Sequence, residues 1–241
     1  MFETVDLFLL HALNQFAGQS FALDRAVVTL TNNHLFKTVP FMVAYWWLWF
    51  ARTDGRFVDH DKADRHFLIF SGLGGAVLAC GLSRVAQNMM WERPRPINNP
   101  ALDINVPLGL GEDYLANFSS FPSDNAAMTF GLATGLFLIS RRLGVPAFFW
   151  ALVVACMPRV FAGFHYPSDI LGGAVLGVVT TLLVVRFELL RVPYRFAIGI
   201  HDRQPGLFYA VGFVASYQIA TFFGDARELG EKFKAFIDVV M

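Results

Sequence analysis

The chain reads as an all-α protein of the multi-pass membrane class: a bundle of about six transmembrane helices with amphipathic helices at the two termini. Three observations predict it. Hydrophobic residues make up 55% of the 241 residues and charged ones only 16%, against about 45–50% and about 25% in soluble domains. Phe alone occurs 26 times, and the mean hydropathy is +0.48. Apolar runs close to the ~20 residues that cross a hydrocarbon core recur along the chain, each bounded by charge. The same balance excludes a soluble domain, a disordered tail, and a nucleic-acid binder working through bulk positive charge, because 19 Lys and Arg face 19 Asp and Glu. Two cysteines, Cys80 and Cys156, are too few for a disulfide scaffold and read as buried thiols within apolar runs.

Taken in order, the first charges are Glu3 and Asp6, and no Lys or Arg precedes Arg25. A secretory signal needs a basic start, so the mature chain is expected to begin near Met1. From Phe2 to Phe16, Val5, Leu9, Leu10, Leu13 and Phe16 fall near one helical face, with Asp6, His11, Asn14 and Gln15 between them, as in a helix lying on a membrane surface. Six spans follow: Asn33 to Ala51, Phe67 to Leu82, Asn125 to Ser140, Leu143 to Pro158, Ile170 to Val185 and Pro205 to Gly224. The tail from Arg227 carries Leu229, Phe233, Phe236, Ile237 and Val240 among charges and is again amphipathic. No internal repeat divides the chain, so 1–241 is one domain. Its long polar excursion, Ala86 to Ser120, is the kind of loop that carries function.

Lys and Arg in short loops set orientation. Arg52, Arg56, Lys62 and Arg65 follow the first span, Arg141 and Arg142 the third, and Arg186, Arg191, Arg195 and Arg203 the fifth. Those three loops are assigned to the cytoplasmic side, and the long loop, the short loop 159–169 and both termini to the other.

Three polar clusters fall on that other side. Arg93-Pro94-Arg95-Pro96 offers guanidinium groups that match phosphate oxygens, or else a charged loop start with helix-ending prolines. Phe121-Pro122-Ser123-Asp124-Asn125 enters the third span. The exposed amides of a helix N-terminus bind anions, and Ser123 or Asp124 equally suits a plain N-cap. In the third cluster Arg159 ends an apolar run, His165 precedes Pro167, and a helical start brings Asp169 beside His165 at i, i+4. An Asp beside an imidazole fixes its tautomer and steadies the cation formed on attack. Two or three arginines, a helix N-terminus and an oriented His at converging helix ends make a phosphoryl-transfer site with no obligatory metal.

At these residues the chain resembles the type 2 phosphatidic acid phosphatase superfamily, in its integral-membrane branch. That family's pattern is Lys-x6-Arg-Pro, then Pro-Ser-Gly-His, then Ser-Arg-x5-His-x3-Asp. The third motif here is Pro158-Arg159-x5-His165-x3-Asp169, the second aligns on Pro122-Ser123-Asp124-Asn125, and the first on Arg95-Pro96. The motif core runs from residue 88 to 169. The resemblance implies His165 as the nucleophile of a phosphohistidine, Asp169 as its orienter, and Arg95, Arg159 and Ser123 as phosphate ligands. It also implies a phosphorylated membrane lipid as substrate, no cofactor or metal, and no nucleic acid.

Four positions depart from the pattern, the first being Pro158 where the third motif has Ser. The family Lys falls on Asn88, the Gly on Asp124 and the His on Asn125, so the resemblance puts Asn88 and Asp124 in the phosphate-binding set and Asn125 in the catalytic one. The Asp variant is similar to bacterial undecaprenyl-diphosphate phosphatases and lipid A phosphotransferases, as are Asp6, Asn14-Gln15 and Leu30-Thr31-Asn32-Asn33. The family His protonates the leaving group, which an Asn amide cannot do. A diphosphate needs that proton least, because its leaving group is itself a phosphate. The expected function is a phosphatase, or a phosphotransferase with a lipid acceptor, acting at the outer face of a bacterial cytoplasmic membrane. The competing readings are a non-catalytic lipid-phosphate binder or transporter of the same fold, favoured by Asn88 and Asn125, and an unrelated transporter, disfavoured by the lack of an inverted repeat.

Overall fold

A computed structural model describes residues 2–51, 61–89, 92–111 and 119–240. Among them every regular element is helical: α1 (Phe2–Asn14), α2 (Phe21–Asn32), α3 (His34–Lys37), α4 (Val39–Phe50), α5 (Lys62–Met89), α6 (Asp124–Ile139), α7 (Arg141–Trp150), α8 (Met157–Phe161), α9 (Pro167–Arg186), α10 (Arg191–Arg203), α11 (Pro205–Ala220) and α12 (Gly224–Val240). A π-helical segment, Ala151–Cys156, joins α7 to α8, so 141–161 runs as one rod.

Among the described residues, three helices are long and apolar enough to cross a membrane: α5, the rod Arg141–Phe161, and α9. The pair of α11 with the start of α12, bent by 85°, counts as a fourth only if the two form one span. The expected six spans are therefore not reached. α4 and α6 are apolar but only 12 and 16 residues long. Physical punctuation shortens them. Asn33 caps α3 with its side chain and Thr38 separates α3 from α4, breaking the span expected from Asn33 to Ala51. Ser123 caps the start of α6, and Ser140 takes extended backbone at its end. α6 is buried along nearly all its length by its neighbours, which suits a central helix rather than a lipid-facing one.

α5, α6, the rod and α9 alternate in direction. The end of α5, the start of α6, the end of α8 and the start of α9 thus share one end of the bundle. At the opposite end Arg65 donates to the Ala51 carbonyl at 2.8 Å, the Tyr194 hydroxyl to that of Ala63 at 3.3 Å, and Arg191 lies over the Phe67 ring. Lys62, Arg65 and Arg191 gather there; Arg52 and Arg56 lie outside the described residues. The stretch after α9, expected as a loop, is largely the helix α10. Both cysteines are buried and unbridged.

α1 is amphipathic with its faces set opposite to a surface helix. Val5, Phe8, Leu9 and Phe16 are exposed, whereas Asp6, Leu10, Asn14 and Ala17 are buried. Asn14 clasps the long loop, donating to the carbonyls of Asn105 and Phe161 and accepting from the Asn105 amide at 2.8 Å. α2 brings Asp24 to accept from the amides of Gly18 and Leu108. In α12 Leu229 and Phe233 are exposed, and the side chains of Phe236, Ile237 and Val240 lie outside the described ones.

Candidate active site

The converging helix ends bring together the three motif clusters. His165 is wholly buried between α8 and α9. Its Nδ1 lies 3.0 Å from the Ser120 carbonyl and 3.5 Å from Asp169 Oδ2, and its Nε2 lies 3.4 Å from Ser123 Oγ. A carbonyl only accepts, so Nδ1 carries the proton and Nε2 keeps a lone pair. That lone pair faces the α6 N-terminus, where Ser123 Oγ also caps the Ala126 amide at 3.3 Å. Asp169 is pinned on both oxygens: Oδ2 accepts from the Tyr166 amide at 2.8 Å, as the third residue of a capping box, and Oδ1 accepts from Arg93. Burial lowers the pKa of His165, the charges of Arg159 and Arg95 push it further down, and the bond to Asp169 opposes them.

Pro167 starts α9 and Gly163, at φ +71, makes the tight turn before it; a side chain at residue 163 would press on Ile104 and Ile97. The Ile97 amide donates to the Gly163 carbonyl, binding the segment after α5 to this turn. On that segment Arg95 is half-buried. Its Nε is buried with no hydrogen-bond partner among the described residues, and burial pushes its pKa down to about 10, so it stays charged at neutral pH. Arg159 stands at the end of α8 within electrostatic reach of Arg95 and His165, its guanidinium 5.6 Å from the Phe164 ring centre. Two guanidinium groups and a helix N-terminus beside an unprotonated Nε2 can hold the oxygens of a phosphoryl group while nitrogen attacks it.

The other sites expected from sequence take different places. Asp124 pairs with Arg84 of α5 at 2.5 Å. Asn125 is buried at 3% exposure, and its amide donates to the Ala155 carbonyl in the π segment at 3.2 Å. Asn88 is exposed near the end of α5. Arg93, from the first cluster, is committed to carboxylates: it bonds Asp6 at 2.6 Å as well as Asp169 and the Ser168 hydroxyl. The sequence reading missed the Ser120 carbonyl, which no side-chain pattern announces. It also missed the inward role of Asp6, although Asp6, Leu10 and Asn14 recur every four residues and so mark one face.

Residues 89–192 match the PAP2 superfamily. This stretch is a PAP2 superfamily domain. The chain is 23% identical over 185 residues to the undecaprenyl-diphosphatase BcrC of Bacillus subtilis (strain 168), covering 76% of this chain and 84% of that protein. It is 39% identical over 59 residues to the lipid A 4'-phosphatase of Bacteroides thetaiotaomicron, a match covering 24% of this chain and 26% of that one. The crystal structure of Aquifex aeolicus LpxE superposes with a TM-score of 0.53 at 21% identity, covering 75% of this chain and 94% of that one, a likeness of fold. The PAP2 domain here thus has lipid phosphatases among its relatives, and its apolar helices suit a membrane.

Proposed function

We propose that the chain is a membrane lipid phosphatase or phosphotransferase that acts on a polyprenyl diphosphate or related phosphorylated lipid through a phosphohistidine at His165. The observation that carries it is the buried imidazole whose Nδ1 faces a carbonyl at 3.0 Å and whose Nε2 faces the α6 N-terminus. Nε2 attacks phosphorus as the bond to the leaving lipid phosphate breaks. Arg95, Arg159, Ser123 and the first amides of α6 hold the phosphoryl oxygens, so the route calls for no metal. Asp169 steadies the imidazolium form. Water, or a lipid acceptor, then takes the phosphoryl group from nitrogen. Asp124 contributes by holding Arg84 at the rim, and Asn88 offers a neutral amide where the family pattern has a cation. With Asn125 in place of an acid, a diphosphate is the favoured substrate, because its leaving group needs a proton least. The Lys and Arg gathered at the opposite end support a site facing the periplasm from a bacterial inner membrane.

One observation favours a second reading. The Asn125 amide is spent on the Ala155 carbonyl, as in a catalytically impaired lipid-phosphate binding or transport protein of this fold. Phosphate release by the protein purified in detergent, with a polyprenyl diphosphate and a phosphatidate supplied separately, decides between them. Release from the diphosphate, lost in His165→Ala, is the expected result. Undiminished release by His165→Ala overturns the covalent route, and lipid binding without release by the unaltered protein selects the second reading.

A further inference from the structure

Behind the site lies a buried ionic cluster that the reaction as written leaves idle. Arg93 donates to Asp169 Oδ1 at 2.5 Å, to the Ser168 hydroxyl at 2.8 Å, and to Asp6 Oδ2 at 2.6 Å. Asp6 accepts in addition from the Ser168 amide at 2.8 Å and from its hydroxyl. The guanidinium lies over the Tyr166 ring, its carbon 3.9 Å from the ring centre. The side chains of Asp6 and Asp169 are 6% and 0% exposed. Three of the guanidinium's five N–H donors are thus spent on two buried carboxylates and a hydroxyl.

Resting on the phosphohistidine reading above, we propose that Arg93 and Asp6 are positioning residues of the reaction: α1, through Arg93, clamps the carboxylate that orients the nucleophile. The chain of contact is short. Asp6 on α1 fixes Arg93, Arg93 fixes one oxygen of Asp169, and the other oxygen stands 3.5 Å from His165 Nδ1. An ion cluster serving only to dock α1 would not need to end on that carboxylate. Arg93 also offsets the charge of Asp169, which would otherwise hold a proton on His165 and take the nucleophile out of use.

The groups facing His165 are Asp169 on α9, Arg159 on α8, Arg95 on the segment after α5, and Asp124 on α6, itself paired with Arg84 of α5. Arg93 and Asp6 stand behind Asp169. Because His165 attacks unprotonated, kcat/KM falls on the acid side of its titration. In Arg93→Gln the uncompensated Asp169 favours the protonated imidazole, so the acid limb moves to higher pH by about one unit, roughly tenfold less activity along that limb. In Asp6→Asn the amide oxygen still accepts, one negative charge is gone, and Arg93 serves Asp169 alone. The acid limb then stays or moves to lower pH while kcat drops severalfold. Arg93→Lys keeps the charge without the fork, so it restores the position of the limb but not the full kcat.

The test is kcat/KM and kcat against pH for polyprenyl diphosphate hydrolysis by the full chain in detergent, with the unaltered protein and His165→Ala in parallel. An inactive unaltered protein, or an active His165→Ala, overturns the phosphohistidine reading. An active protein, a dead His165→Ala, and an Arg93→Gln that raises KM with no movement of the acid limb overturn the positioning proposal alone, and make Arg93 a substrate ligand. If Arg93→Gln does not fold, Asp6→Asn and Arg93→Lys decide: an upward shift in either overturns the proposal, and an unmoved or lowered limb with reduced kcat supports it.

Discussion

The two sides of α5 are built differently. Toward α6 and α9 its backbone lies against theirs: a Cβ on Gly75 would come within 2.9 Å of the Thr181 Cα, and one on Gly131 within 2.8 Å of the Ala76 Cα. Gly173 and Gly177 of α9 leave room in the same way for the carbonyls of Ser123 and Ala127. Toward α4, α10 and α11 the contacts are aromatic and long. Trp49 stacks on His66 at 3.7 Å and on Phe208 at 5.3 Å, and an apolar cavity of about 630 Å³ remains between the four helices. Backbone against backbone leaves no side chain to rotate, so it fixes one helix on another to fractions of an ångström. A gap bridged by large rings repacks readily. The close side carries Ser123, Asn125 and Asp169; the open side carries none of the proposed site.

If that division is functional, changes on the close side have large effects on turnover and matched changes on the open side small ones. The largest expected effect is at Asn125. Asn125→His introduces an acid for the leaving group and should raise monoester hydrolysis by more than diphosphate hydrolysis, with about 10⁴-fold as the upper limit for the monoester. It should also add an acidic or near-neutral pH dependence. Equal factors for the two lipids over a pH series would show that Asn125 only ties α6 to the π segment. Next comes Gly173→Ala. Its Cβ would overlap the Ser123 carbonyl and lie 2.9 Å from Ala126 Cβ, so α9 must move off α6 and carry Asp169 with it. We expect a cost of about 1–3 kcal/mol in stability and about 100-fold in kcat, read by thermal unfolding and phosphate release. Wild-type turnover would break the comparison.

A smaller effect concerns pH. Burial, Arg159 and Arg95 hold His165 below its ordinary value of 6.5. A lowered value keeps the imidazole neutral as pH falls, so the acid limb of kcat/KM should lie below pH 6.5. Arg159→Gln should move it upward. The smallest effect is expected for Gly74→Ala, the same substitution as Gly173→Ala but on the open side. Its Cβ meets only the movable tip of Leu190 at the edge of the cavity. Turnover within about twofold and a helix stabilised by up to ~1 kcal/mol are expected. A large loss of turnover would show that the open side also positions the site.

Residue types and spacing announced much of this architecture. The apolar runs at Phe67, Leu143 and Ile170 became the three long helices, and the spacing of Arg159, His165 and Asp169 placed an Arg, an imidazole and a carboxylate at one end of the bundle. Helix length was less legible. α5 continues to Met89, past the charge of Arg84 that seemed to close it, because Arg84 finds Asp124 and Gln87 finds the Pro122 carbonyl. The facing of α1 was hidden for a different reason. Val5, Phe8 and Leu9 point outward while Asp6 and Asn14 share the inward face with Leu10, as suits a helix whose surroundings are more apolar than its partner surface. The Ser120 carbonyl could not be read at all, since every residue carries one and only the fold aims it.

The inward face of α1 also bears on how the protein is made. Asp6 is made well before its partners Arg93 and Ser168, which lie 87 and 162 residues further along the chain. Asn14 likewise waits for Asn105 and Phe161. Until residue 93 has been made, the Asp6 carboxylate lacks the cation that the finished fold gives it. The cluster closes only once Ser168 and Asp169, at the start of α9, have followed. The chain therefore acquires its complete ionic cluster late in biosynthesis, and a product cut short before α9 carries Asp6 and Arg93 without the Ser168 and Asp169 they bind.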